Sequence, residues 1–152
     1  MNEATPRFPI FISLDGKRVL VVGGGKVAAR RTRVLLDFGA LITIVAPDIG
    51  PDMRKLLGRI VWRQERYSGL EENYALVIAA TNDRNVNRQV SEDVLKRGIP
   101  VSVADQKEES TFWFPAIIQS DGLIAGLISR SGDHGAVKRA AQKMRKSLEE
   151  TP

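Results

Sequence analysis

Cysteine is absent from the 152 residues, which rules out disulfides, thiolate nucleophiles and cysteine metal sites and suits a reducing cytoplasm. Histidine occurs once, as His134. A metal centre needs several ligands in matching geometry, so no protein-held metal is expected, and His134 reads as a loop or helix-start residue. No apolar run approaches the ~20 residues of a membrane span, so no membrane association is expected. The opening residues lack a basic segment followed by an apolar one, so no secretory signal is read and a cytoplasmic location is expected. Internal repeats and low-complexity segments are missing as well. Lysine and arginine number 23 against 18 acidic residues, a net charge of +5. They are densest over Lys26 to Arg33 and Lys138 to Lys146. No nucleic-acid-binding motif accompanies them, so nucleic acid is not expected as a partner. The excess charge fits either ordinary solubility or attraction for a small molecule rich in carboxylates.

What is present is a globular composition, 43% hydrophobic and 27% charged, of a length that suits one domain and a modest appendage. Arg18-Val19-Leu20-Val21-Val22 is a short β-branched run ending in three glycines, the pattern of a buried parallel strand. Apolar residues then recur at helical spacing from Val27 to Phe38, and Gly39 stops that helix. Further strands are expected over Leu41 to Ala46, Ile60 to Trp62, Ala75 to Ala80 and Val101 to Ala104. A short helix is expected over Pro51 to Leu57 and a longer amphipathic one over Arg84 to Arg97. Strand and helix alternate with short connections, which calls for an α/β fold: a doubly wound parallel sheet with helices on both faces.

The pattern changes after Asp105. An aromatic stretch, Thr111 to Pro115, leads into two apolar runs flanking the turn-like Ser120-Asp121-Gly122, which reads as an antiparallel hairpin. A basic amphipathic helix over Ala136 to Glu150 follows. One hairpin and one helix make too small a core to stand alone. The chain is therefore divided into a dinucleotide-binding domain, residues 1–114, and a segment, 115–152, expected to pack against a second copy as a homodimer.

Gly23-Gly24-Gly25-Lys26-Val27-Ala28 fits G-x-G-x-x-A between a strand and a helix. Gly23 permits the tight turn, Gly25 lets a pyrophosphate approach the backbone, and Ala28 lets the helix lie close to the sheet. The helix start offers free N–H groups and partial positive charge to phosphates, and Lys26 and Arg30 either add to that charge or face solvent. Asp48, in Val45-Ala46-Pro47-Asp48, either binds the adenosine ribose or sits in the turn; with no arginine there, NAD is favoured over NADP. Thr81 and Asn82 end the fourth strand on the same sheet edge, suited to contact a cofactor, with Asn82 or Asp83 also able to cap the next helix. Asp105 ends the fifth strand on that edge. It reads as an acid or base tuned by apolar neighbours, or as a loop cap.

Several segments occur in a characteristic order: Pro9-Ile10-Phe11, Val21 to Ala28 with Arg30-Arg31, Ala79-Ala80-Thr81-Asn82, Asn87, Val103-Ala104-Asp105, and Phe112 with Phe114-Pro115-Ala116. In this set the chain resembles precorrin-2 dehydrogenase, the N-terminal siroheme synthase family, from about Phe8 to the last helix. The resemblance implies an NAD-binding domain followed by a segment in which two subunits interlock. It implies NAD-dependent oxidation of precorrin-2, a tetrapyrrole, to sirohydrochlorin in siroheme biosynthesis, with ferrous iron insertion in some members. The family's key aspartate falls on Asp105. Its cofactor contacts fall on Gly25, Lys26 and Val27, and on Pro47 and Asp48. A basic rim for the substrate carboxylates would draw on Arg7, Arg130 and Lys138.

Two departures from the family stand out. Members usually continue into a further helical domain, whereas this sequence ends at Pro152, the pattern of a short form. The family segment resembling Ser-Thr-Gly-Gly-Lys-Ser-Pro is here Ser129-Arg130-Ser131-Gly132-Asp133-His134-Gly135. These departures carry the alternative reading, a non-catalytic dinucleotide-binding regulatory module.

Overall fold

The computed structural model describes residues 5–150, so both ends of the segments expected above, residues 1–4 and 151–152, lie outside it. Two compact units are present. One spans Ile12–Trp113; the other joins the stretch up to Phe11 to the chain from Phe114 onward.

The larger unit holds five parallel strands: β1 (Arg18–Val22), β2 (Leu41–Val45), β3 (Val61–Arg63), β4 (Leu76–Ala79) and β5 (Val101–Val103). Their spatial order is β3-β2-β1-β4-β5, so the chain reverses direction across the sheet between β1 and β4. Helix α1 (Lys26–Asp37) follows β1, and the short α2 (Pro51–Arg54) with a 3-10 turn at Leu57–Arg59 follows β2. Helix α3 (Arg84–Leu95) follows β4.

Burial on both faces explains why these strands read as continuous apolar runs. Val19, Val21, Val77, Ile78, Ala79 and Val101 are all fully buried. Leu20, Val22, Val45, Val77, Ala79, Val101 and Val103 form one core with Val90 and Val94 of α3. Residues of the opposite parity, among them Ser102, face the other way, where Arg31 of α1 donates to the Ser102 hydroxyl at 3.3 Å. Burial, and then the neighbouring Arg30 charge, push the Arg31 guanidinium down to about 10.

The alternation of strand and helix fails once. No helix joins β3 to β4; residues 64–75 make that crossover as a loop. Tyr67 and Leu70 from this loop pack against the α3-side core, and the Tyr67 hydroxyl donates to Asp93 of α3 at 3.0 Å. Burial, reinforced by that bond, pushes the Tyr67 phenol up. The loop does a helix's covering work with two side chains, which a periodicity reading does not register.

The smaller unit contains the antiparallel pair β6 (Ala116–Ser120) and β7 (Leu123–Leu127), and helix α4 (His134–Glu149). Arg145 of α4 donates to the Ile117 carbonyl at 3.1 Å. His134 is the first helical residue, and Asp133 caps the helix by accepting from the Ala136 N–H at 2.9 Å. The Ser129 hydroxyl accepts from the Asp133 N–H at 3.0 Å, so the segment that departs from the family pattern builds the start of α4. Among the described residues of this unit only Ile118 and Ala141 are buried hydrophobics.

Candidate functional site

The carboxyl ends of the five strands form one edge, and four of the turns there carry the expected site residues. The first is the glycine turn after β1. Gly23 has φ +127, and a Cβ on it would lie 2.2 Å from the Ala80 carbonyl oxygen at the end of β4. Gly24 is equally crowded, since a Cβ there would lie 2.4 Å from the Asp48 carbonyl oxygen. Gly25 differs: nothing lies within 4 Å of its Cβ position. The three glycines thus divide their work. Gly23 and Gly24 admit neighbouring backbone, while Gly25 leaves open space at the start of α1.

Gly25 is also the N-cap of α1, and no side chain caps the first-turn amides. The amides of Lys26, Val27 and Ala28 precede the first intrahelical donor, Ala29, whose N–H reaches Gly25 O at 2.9 Å. Such uncapped amides carry the partial positive charge of the helix end and suit a phosphate. Lys26 and Val27 are exposed beside them, and Ala28 is fully buried, as close helix–sheet packing requires.

The second turn follows β2. The Gly23 N–H donates to Val45 O at 3.0 Å and the Gly50 N–H to Gly24 O at 2.8 Å, so these two turns are hydrogen-bonded together. Pro47 and Asp48 are exposed there. Asp48 Oδ1 accepts from the Ile49 N–H at 2.8 Å and from Arg54 at 3.0 Å, so it is a turn residue that keeps Oδ2 without a hydrogen bond.

The third turn follows β4. Thr81 is engaged inward: its N–H and hydroxyl both donate to Asn87 Oδ1, at 3.0 and 2.8 Å, and the Asn87 amide donates back to Thr81 O at 3.1 Å. Asn87 is fully buried, and this reciprocal pair satisfies its polar atoms. Asp83 caps α3 through Asn85 and Val86, leaving exposed Asn82 free of the capping task. Asn82 is therefore the side chain of this turn open to a ligand.

Asp105 lies two residues beyond β5, and the Ala104 N–H donates to Ala79 O at 2.9 Å, which ties the fourth turn to β4. Its surroundings differ from the apolar wall expected. Asp105 is exposed, and Oδ1 accepts from Arg84 of α3 at 2.7 Å. The other end of the Arg84 guanidinium binds Glu109, so one arginine bridges two carboxylates. The correction has a simple cause: the first residue of α3 lies beside the end of β5, and its contact with Asp105 spans 21 positions in the chain. Arg84 and Glu109 are the polar neighbours that sequence reading missed, as was Arg54 beside Asp48.

Residues 10–116 match a family model described as "Putative NAD(P)-binding". The chain belongs to this family. The open Gly25 position with its uncapped amides fits the pyrophosphate of a nicotinamide dinucleotide. The chain is 48% identical over 144 residues to the Ruminiclostridium josui protein named "Probable multifunctional siroheme biosynthesis protein HemA", covering 92% of this chain and 28% of that protein. It is 40% identical over 145 residues to a siroheme synthase of Chromobacterium violaceum, covering 93% of this chain and 30% of that protein. The chain thus spans under a third of the length of the curated relatives it matches. The solved structure of SirC, a precorrin-2 dehydrogenase, superposes with a TM-score of 0.77 at 26% identity, over 93% of this chain and 71% of that one. In open α/β sheets a dinucleotide lies beyond the carboxyl ends of the strands, at the point where strand order reverses.

Proposed function

We propose that this chain oxidises precorrin-2 to sirohydrochlorin with NAD, as a cytoplasmic step of siroheme biosynthesis. The observation that carries the reading is the joint placement, on one sheet edge, of a phosphate-ready helix start and an accessible carboxylate at Asp105. Likeness over nearly the whole chain to siroheme synthases and to SirC supports the substrate class. The oxidation removes two electrons and two protons, one of them as part of a hydride. Bound NAD supplies the hydride acceptor. The amides of Lys26 and Val27, with Gly25, hold the pyrophosphate; Pro47 and Asp48 flank the adenosine ribose; Thr81 holds the third turn in place and Asn82 contacts the cofactor. Asp105 takes up the second proton through its unpaired oxygen, while Arg84 holds the carboxylate in position. Anaerobic incubation with precorrin-2 and NAD is expected to form NADH in step with sirohydrochlorin. An NAD-binding protein that forms neither would leave the regulatory-module reading.

The smaller unit supports a homodimer. Phe8, Ile10 and Phe11 are 88%, 74% and 73% exposed, and Leu123 and Ile124 are exposed too. So much uncovered apolar surface beside so small a core calls for a partner, and a second copy supplies one of matching chemistry. Sedimentation equilibrium at micromolar concentration is expected to give twice the chain mass; a stable monomer would refute the shared unit. Among the described residues no helix is long and apolar enough to cross a membrane.

A further inference from the structure

The fold brings an arginine to a place where the local sequence holds none. Helix α2 begins directly after Gly50, and its last residue, Arg54, turns back onto the β2 turn. Arg54 Nε donates to Ile49 O at 3.1 Å, and a terminal nitrogen donates to Asp48 Oδ1 at 3.0 Å. Two anchors on one turn hold the planar guanidinium in a fixed orientation. The turn itself is fixed against the glycines by the Gly50–Gly24 hydrogen bond and by the crowding of Gly24 against Asp48. Arg54 therefore has a set place relative to the phosphate turn.

An acid at the end of the second strand binds the adenosine ribose diol and repels a 2′-phosphate, whereas an arginine there accepts one. Here both charges sit side by side, and Asp48 no longer presents a bare negative charge. Arg54 keeps its second terminal nitrogen without a hydrogen bond, and its side chain is half-exposed. Of the cations nearest in the chain, Lys55 pairs with Asp52, and Arg63 with Glu65 and Glu71. We propose that Arg54 sets the cofactor range: Asp48 takes the ribose diol of NAD, and Arg54 takes the 2′-phosphate of NADP, so the chain binds both. This rests on the nicotinamide-dinucleotide site described above, and it extends the cofactor beyond NAD alone.

Fluorescence titration of the full chain with NADH and NADPH tests it without turnover. The wild type is expected to bind both, with NADPH the more salt-sensitive. Arg54→Gln keeps a hydrogen-bond donor for the Ile49 carbonyl and removes the charge. It is expected to weaken NADPH about tenfold or more, in line with the loss of a charge-assisted hydrogen bond, and NADH less than about threefold. Arg54→Lys, which keeps the charge, is expected to recover most of the NADPH affinity, which separates a charge effect from a disturbed turn. Equal losses for the two ligands in Arg54→Gln would overturn the proposal. So would a wild type that binds NADH and not NADPH. Failure to bind either one would instead remove the dinucleotide site on which the inference stands.

Discussion

An Asp105→Asn variant is expected to lose about two to four orders of magnitude in precorrin-2 turnover while binding NADH as the wild type does. The size is that of removing a positioned general base. Asparagine keeps the shape and can still accept from Arg84, so the change removes basicity more than packing. Binding is spared because β4 separates β5 from the glycine turn of β1, a separation of about 10 Å at the usual strand spacing. Steady-state rates under anaerobic conditions and a parallel NADH titration read the two effects independently. Turnover at the wild-type rate would reduce Asp105 to a partner of Arg84 in an ion pair that ties α3 to the end of β5.

The second large effect concerns stability. Gly23→Ala is expected to cost roughly 3–5 kcal/mol, combining overpacking with the penalty of a left-handed backbone for a residue with a Cβ. The new methyl would lie 2.2 Å from the Ala80 carbonyl oxygen and 2.6 Å from its carbon, both backbone atoms at the end of a buried strand. A side chain could swing aside; this backbone would have to carry β4 with it. In thermal unfolding the midpoint is expected to fall on the order of 10 °C for a chain of this size. Gly25→Ala is the informative contrast. Its Cβ meets nothing, so it is expected to melt near the wild type and yet bind NADH more weakly. A Gly23→Ala protein as stable as the wild type would show that the close approach of the β1 and β4 turns is not needed by the fold.

The sheet was legible in the sequence because each of its signals is local. Arg18 to Val22 reads as buried at both parities, Gly39 ends a helix, and Gly23 to Ala28 names the strand-to-helix junction. The tail was legible for the same reason, through a turn signal between two apolar runs. What escaped is what depends on residues far apart in sequence meeting at the sheet edge. Asp105 was found by its position after β5, but its surroundings were misjudged because Arg84 reaches it from another crossover. Arg54 escaped although it is only six residues from Asp48, since a four-residue helix turns it back in a way no periodicity encodes. Gly24 fills the variable position of its motif, yet the backbone of Asp48 crowds it nearly as closely as Ala80 crowds Gly23. Residues 64–75 held no helical period because two aromatic and aliphatic anchors, Tyr67 and Leu70, were enough to cover the core.

The Asn87–Thr81 pair sets the level of the third turn. By serving both the N–H and the carbonyl of Thr81, one buried amide side chain acts as an extra rung beyond the last backbone pairing of β4. The surface presented at Asn82 is thereby raised one residue above the ladder and kept there without a neighbouring strand. Its height is a property of a single side chain, so the shelf beside the glycine turn could shift in evolution while the sheet beneath it stayed the same.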